Sequence, residues 1–251
     1  MKKQLNKNLI ERYSRQIVLK NIGTIGQKKI LSSKVLIVGV GGLGSPVAEF
    51  LSRAGVGTIG IVDDDKVSLS NLHRQSLYNE SDIGQSKVKI AKEKIKRINH
   101  NTKVKVYKTR LNSTNFKKII NDYDYIVDSS DNFKTKFLIN DFCLKFKKFL
   151  VTGAISKFDG HIFTFNFKNQ KFPCLRCFYQ ESEIPEELLN CETEGILGTI
   201  AGIVGTIQAN EVIKKILDIG KNINGYILIL DLLNLKFRKV RIKKRKNCFC
   251  N

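Results

Sequence analysis

Short unbroken apolar runs alternate along this chain with longer stretches whose apolar residues recur three and four apart. Lys34-Val-Leu-Ile-Val-Gly39 and Thr58-Ile-Gly-Ile-Val62 are runs of the first kind. A strand reads this way when helices cover both of its faces. Val104–Tyr107, Tyr125–Asp128 and Phe149–Ala154 read as further strands. Between them, Pro46–Ala54, Lys87–Ile98, Asn115–Ile120 and Lys134–Phe146 carry helical spacing, and Leu9–Leu31 reads as helical ahead of the first strand. Such alternation predicts a mostly parallel sheet joined by right-handed crossovers.

The pattern changes after residue 155. Gly160–Phe167 alternates apolar residues as a half-buried strand does, Ile196–Ile219 is a long helical stretch rich in Gly and Ala, and Tyr226–Leu230 and Lys236–Ile242 read as closing strands. The expected fold class is therefore α/β: a Rossmann-like, doubly wound, mostly parallel sheet extended by antiparallel C-terminal strands. No repeat or low-complexity linker divides the chain. A single domain over 1–251 is expected, with a helical segment at 1–32, a core at 33–155 and a closing region at 156–251. No apolar run reaches the roughly 18–20 residues of a membrane span. The polar start, Met1-Lys-Lys-Gln-Leu-Asn-Lys-Asn8, lacks the apolar core of a secretory signal, so a cytoplasmic location is expected.

Composition changes one thing. Hydrophobic residues make up 42% and charged residues 27%, ordinary for a globular protein, but the formal net charge is +21. Basic surfaces attract phosphate, so a basic nucleic-acid-binding module is the non-enzymatic alternative. It rests on charge alone. The lysines are scattered, and the one dense run, Lys236–Lys246, interleaves Phe237, Val240 and Ile242 with basic residues like an exposed edge strand. No nucleic acid and no membrane are expected as partners; an acidic protein is compatible.

Candidate chemistry gathers at the strand ends. Gly39-Val-Gly41-Gly42-Leu-Gly44 lies between a strand and a helix, where glycines permit a tight turn and close approach of backbone N–H groups to phosphate. Asp63 closes the next strand, where an acidic ribose ligand belongs. These two features do not separate NAD from ATP. Beyond the same strand ends come Ser70-Asn71-Leu72-His73-Arg74, then Lys87 after Gly84-Gln-Ser, then Asp128-Ser-Ser-Asp131-Asn132. Phosphoryl chemistry needs cations on the phosphates and a carboxylate for magnesium, so this set favours ATP with Mg2+. An NAD-dependent oxidoreductase, the enzymatic alternative, leaves Arg15, Lys87, Asp131 and the cysteine pairs Cys174/Cys177 and Cys248/Cys250 without a role.

There are six cysteines. Without an export signal, close pairs point to metal before disulfides. Cys174-Leu-Arg-Cys177 has the spacing that lets two thiolates converge on one zinc, and the tail carries a second pair, Cys248-Phe-Cys250. Cys143 reads as a small buried apolar residue.

Taken in order, Arg12-Tyr-Ser-Arg-Gln16, Gly39–Gly44, Asp63-Asp-Asp65, Ser70–Gln75, Gly84–Lys87, Asp128–Asn132, Cys174–Cys177 and Gly195–Glu211 resemble the ThiF/MoeB/HesA family, bacterial relatives of ubiquitin-activating enzymes. The resemblance runs from about Arg12 to Cys250. It implies ATP-dependent adenylylation of the C-terminal glycine carboxylate of a ubiquitin-like sulfur-carrier protein. Gly39, Gly41, Gly42, Gly44 and Asp63 would then bind the nucleotide together with Ser70, Asn71, Leu72, His73 and Asn132. Arg74 and Lys87 would face its phosphates, and Asp131 would hold magnesium. Arg15 would reach the triphosphate in the other subunit of a homodimer. Residues 156–251 would bind the carrier and a structural zinc held by Cys174, Cys177, Cys248 and Cys250. The family's second pair is Cys-x-x-Cys; here it is one residue shorter. Asn190-Cys191-Glu-Thr-Glu-Gly195 resembles the thiamine branch, where this cysteine is linked to sulfur transfer, so Cys191 is a candidate nucleophile. The molybdopterin branch is the alternative. A separate sulfurtransferase or cysteine desulfurase is expected as sulfur donor, since no rhodanese-like extension follows.

Overall fold

A computed structural model describes residues 5–169, 171–180 and 195–250. The apolar runs become the strands β1 (Lys34–Val38), β2 (Thr58–Val62), β3 (Lys103–Tyr107), β4 (Tyr125–Asp128), β5 (Phe149–Ser156), β6 (Asp159–Asn166), β7 (Tyr226–Asp231) and β8 (Lys236–Arg241). They form one sheet in the order β3-β2-β1-β4-β5-β6-β7-β8. The first five are parallel, and β6, β7 and β8 are added antiparallel. Val38 is level with both Val62 and Asp128, so β1, β2 and β4 end together and their loops emerge side by side.

Helices cover both faces. Successive strand residues point to opposite sides, so Leu36 and Ile37 enter different cores. Ile37 and Ile59 pack against α4 (Gly44–Ala54), α5 (Lys87–Ile98) and α9 (Gly198–Leu217). Leu36, Leu150 and Phe163 pack against α6 (Ser113–Ile120), α7 (Phe133–Lys145) and the short α8 (Leu175–Phe178). Each such side chain contributes roughly 1.5–3 kcal/mol when fully buried. Cys143 lies in the second core, fully buried, and that burial pushes its thiol pKa well up. Among the described residues no helix is long and apolar enough to cross a membrane.

The stretch expected to be helical, Leu9–Leu31, is helical in three pieces: α1 (Lys7–Arg12), α2 (Ser14–Ile17) and α3 (Gly23–Ser32). Tyr13 breaks the first junction with φ −106° and ψ 14°. Its buried hydroxyl accepts a hydrogen bond from Asn99 Nδ2 at 2.8 Å, a tertiary anchor that no local pattern reveals. Every residue of β8 is exposed, and Lys236, Arg238, Lys239 and Arg241 charge this edge against unwanted pairing.

Candidate active site

The chain runs from β1 to β2 and β3 on one side and returns from β3 to β4 on the other, and ligands bind at such a switch point in open α/β sheets. A cavity of about 310 Å³ opens there. Its floor is the glycine turn. Gly39 adopts φ +81°, and a methyl group on it would press on the Ser129 carbonyl. Gly44 lies beneath the turn rather than in the cavity; a side chain there would collide with the Gly39 carbonyl. Gly41 and Gly42 face the opening, just before the N-terminus of α4. Tyr78 donates its hydroxyl to the Val40 carbonyl at 2.9 Å and pins the turn from below.

Asp63 stands beside the turn. Its Oδ2 accepts from Val40 N and its Oδ1 from Asp65 N, both at 2.9 Å. Burial raises its pKa, against the opposing pull of Lys87 and of those two N–H groups. Lys87 opens α5, where a cation works against the helix dipole. Its buried ammonium meets Asp65 Oδ2 at 2.8 Å. Asn71 closes a single 3-10 turn, and its Oδ1 accepts from Gln75 Nε2 at 3.0 Å. Arg74 is held at the rim by the Ser70 carbonyl at 3.1 Å and by His73 Nε2 at 2.8 Å. Opposite them, Asp131 is exposed at the cavity wall, and Asn132 caps α7 by accepting from Thr135 N at 2.9 Å.

Gly39, Gly41, Gly42, Asp63, Asn71, Arg74, Lys87, Asp131 and Asn132 thus come together around one cavity. Ser70, Leu72 and His73 shape the turn that carries Asn71 and Arg74 without lining the cavity. Arg15 sits exposed on α2, outside this cavity. Cys191 lies outside the described residues.

Further lining comes from residues that sequence reasoning missed: Thr109, Arg110 and Leu111 after β3, Gln75, Lys136, and Ala154 and Ile155 on β5. The loop after β3 could have been found from its position at the same end of the sheet, next to the end of β2. Gln75 closes the string Ser70–Gln75 but was given no role there, and Lys136 had no local signal.

A second constellation lies on the α7 side of the sheet. The Sγ atoms of Cys174, Cys177, Cys248 and Cys250 all fall within 4.8 Å of one another. Cys174–Cys248 and Cys177–Cys250 are each 3.5 Å apart. Four thiolates bonded at ~2.3 Å to a tetrahedral zinc stand ~3.8 Å apart, so this donor set fits zinc closely despite the shortened tail pair. Burial pushes the Cys174 thiol up, and Cys250 up to about 12. At Cys177 burial is outweighed by backbone N–H groups of Arg245 and Cys174, and the pKa falls.

The fold defines a class first: doubly wound α/β proteins with a glycine turn beneath a helix N-terminus, taking their ligand at the strand ends. Residues 13–251 match the ThiF family, and the chain belongs to it. It is 38% identical over 245 residues to a sulfur carrier protein adenylyltransferase of Thermus thermophilus, covering 96% of this chain and 90% of that one. It is 42% identical over 247 residues to an adenylyltransferase and sulfurtransferase MOCS3 of Drosophila willistoni, covering 98% of this chain but only 54%, about half, of that protein. Among solved structures, E. coli MccB with ATP superposes with a TM-score of 0.81 at 21% identity, covering 95% of this chain and 74% of that chain. PaaA superposes with a TM-score of 0.79 at 23% identity, covering 98% and 77%. At these identities the two structures bear on the fold alone.

Proposed function

We propose that this protein adenylylates the C-terminal glycine carboxylate of a small ubiquitin-like sulfur-carrier protein. One observation carries the reading: Asn71 and Arg74 from one turn, Lys87 from the start of α5 and Asp131 from the loop after β4 meet the glycine turn around a single cavity. A nicotinamide enzyme has no use for that ring of charge. In the proposed reaction a carboxylate oxygen of the carrier attacks the α-phosphorus of ATP. The bond from that phosphorus to the bridging oxygen breaks, and pyrophosphate leaves with the electron pair. Arg74 and Lys87 offset the charge growing on the leaving group, and Asp63 orients the ribose. Asp131 offers a carboxylate for Mg2+ beside the phosphates, with Asp63, Asp64 and Asp65 clustered across the cavity. The acyl-adenylate that results is an electrophile from which a sulfur nucleophile displaces AMP; a persulfide donor gives an acyl disulfide, which a further thiol must cleave to leave the thiocarboxylate.

Arg15 is read as completing the site of a second subunit in a homodimer. Its exposure supports this, as does the exposed apolar Val18, Leu19 and Ile25 on the same segment. Cys174, Cys177, Cys248 and Cys250 are read as a structural zinc site; zinc, when bound, would cross-link α8 to the chain end. The carrier is read as that of thiamine biosynthesis, on the Cys191 segment, with the small subunit of molybdopterin synthase as the alternative. Sulfur would come from a separate sulfurtransferase or cysteine desulfurase.

ATP–pyrophosphate exchange with Mg2+ tests this, with each type of carrier supplied separately. Exchange that needs one carrier's intact terminal glycine is the expected result and selects the branch. Folded, zinc-replete protein giving no exchange with either carrier would sink the proposal.

A further inference from the structure

Lys136 sits one turn into α7, where a lysine would ordinarily reach solvent, yet it is only 2% exposed. Its ammonium donates to the Gly153 carbonyl at 2.6 Å and to Asp128 Oδ2 at 3.3 Å. Asp128 is itself fully buried at the end of β4. Its other oxygen, Oδ1, accepts from Ser130 N at 3.0 Å and Ser130 Oγ at 2.5 Å, and its carbonyl accepts from Gln208 Nε2 at 2.9 Å. The loop folded in this way carries Ser129, whose carbonyl abuts Gly39, and then Asp131. Gly153 in turn precedes Ala154 and Ile155, which line the cavity from β5. One ammonium therefore ties together the loop of Asp131, the wall behind the glycine turn and the end of β5.

A buried ion pair is a poor source of stability, because desolvating both charges offsets most of their attraction. What the pair retains is geometry. We infer that Lys136 is a positioning residue for the adenylyl transfer, acting through Asp128 and Gly153 to hold Asp131 and the end of β5 in register with the glycine turn. This inference rests on the function proposed above. It applies to a residue that would otherwise pass as a solvated helix lysine.

The test compares wild type with Lys136→Met, Lys136→Arg and the neutral double variant Asp128→Asn/Lys136→Met. Thermal melting, ATP binding across Mg2+ concentration and pyrophosphate exchange are measured on each. Lys136→Met should lower the exchange kcat by about a hundredfold, the usual scale of an ångström of misplacement, while ATP affinity at saturating Mg2+ moves less than about threefold. The Mg2+ concentration for half-maximal ATP binding should rise about tenfold, because Asp131 hangs on the same loop. Lys136→Arg, still charged and able to donate, should recover most of the rate. The double variant should recover the melting temperature but not the rate, since the tie to Gly153 is still missing. A double variant that regains both, or a Lys136→Met protein with wild-type rate and Mg2+ dependence, would overturn the inference and leave an ordinary buried pair. Wild type failing to exchange would count against adenylylation, while the Mg2+ titration would still decide the role of Lys136.

Discussion

At the parallel end of the sheet, Asn71, Lys87 and Asp131 come from separate segments around an open cavity, Asn71 and Asp131 anchored by near neighbours in the chain and Lys87 by Asp65, 22 residues away. At the antiparallel end, the buried pair Cys174 and Cys177 and the tail pair Cys248 and Cys250 close on one another across more than seventy residues. The first arrangement keeps charge in reach of solvent, where a ligand can use it. The second turns sulfur inward, where a ligand could only hold the chain together. Removing a group from the first should change chemistry with little effect on folding, and the reverse should hold for the second.

The largest effect should come from breaking the cavity. Lys87→Met should lower carrier-dependent exchange by about a thousandfold, the order seen when a charge-stabilising donor is lost. Melting should barely move, because the partner left behind, Asp65, is 62% exposed and stays solvated. Exchange is measured with Mg2+ and carrier, and melting by circular dichroism. A large fall in melting temperature alongside the lost rate would erase the contrast.

Cys174→Ser probes the other end. Elemental analysis should find one zinc per wild-type chain and none in the variant. Stability should fall by roughly 2–4 kcal/mol, as for loss of a cross-link that closes a long loop. Exchange by the protein that remains folded should stay within about threefold of wild type, since the sites share no residues. Equal damage to exchange and to melting would make the cysteine site part of the catalytic machinery.

The two ends also differed in how far the sequence revealed them. Asp63, Arg74 and Asp131 were legible because strand ends at a switch point are where function concentrates, and each stands in a recognisable local string. Lys136 was not, because its partners Asp128 and Gly153 become neighbours only once β4 and β5 pair. Arg110 and Leu111 carry no motif; the register of β3 beside β2 brings them to the cavity. The break at Tyr13 depends on Asn99, far along the chain. The alternation of strand and helix, by contrast, is a local property, and all eight strands among the described residues lie where the apolar pattern placed them. The shortened Cys248–Cys250 spacing was ambiguous on paper, and the 3.5 Å approach of each thiol to its counterpart shows the geometry can be met.

A smaller effect sharpens the cavity side. Burial raises the Asp63 pKa above the ordinary carboxylate value of 3.8, so the folded protein disfavours its ionised form. A carboxyl raised on folding costs stability as pH climbs past that unfolded value, and the cost is complete above the folded pKa. Asp63→Asn should therefore be more stable than wild type at pH 7, and this advantage should vanish below the ordinary carboxylate range. ATP affinity should fall at the same time, since the ribose loses its ionised partner. Melts across pH, together with nucleotide titration, would check this. A variant less stable than wild type at pH 7 would mean that the bonds from Val40 and Asp65 outweigh the burial.

The smallest effect belongs to the exposed edge, where neither kind of site operates. Lys239 lies over the Tyr226 ring at 4.3 Å, on a strand whose residues are all exposed. Contacts of this kind at exposed sites contribute about 0.5–1 kcal/mol, so Lys239→Ala should move denaturant midpoints only slightly. Neither zinc content nor nucleotide affinity should change, because β7 and β6 separate β8 from β5, the strand on that side that lines the cavity. What could change is the approach of an acidic carrier, since β8 concentrates four basic residues in six. Exchange measured at subsaturating carrier and at two salt concentrations separates these outcomes. A higher KM for carrier, fading with salt, would mean that this edge steers the partner. An unchanged KM would leave the basic strand as protection against edge-to-edge pairing, the role its charge already serves in the isolated chain.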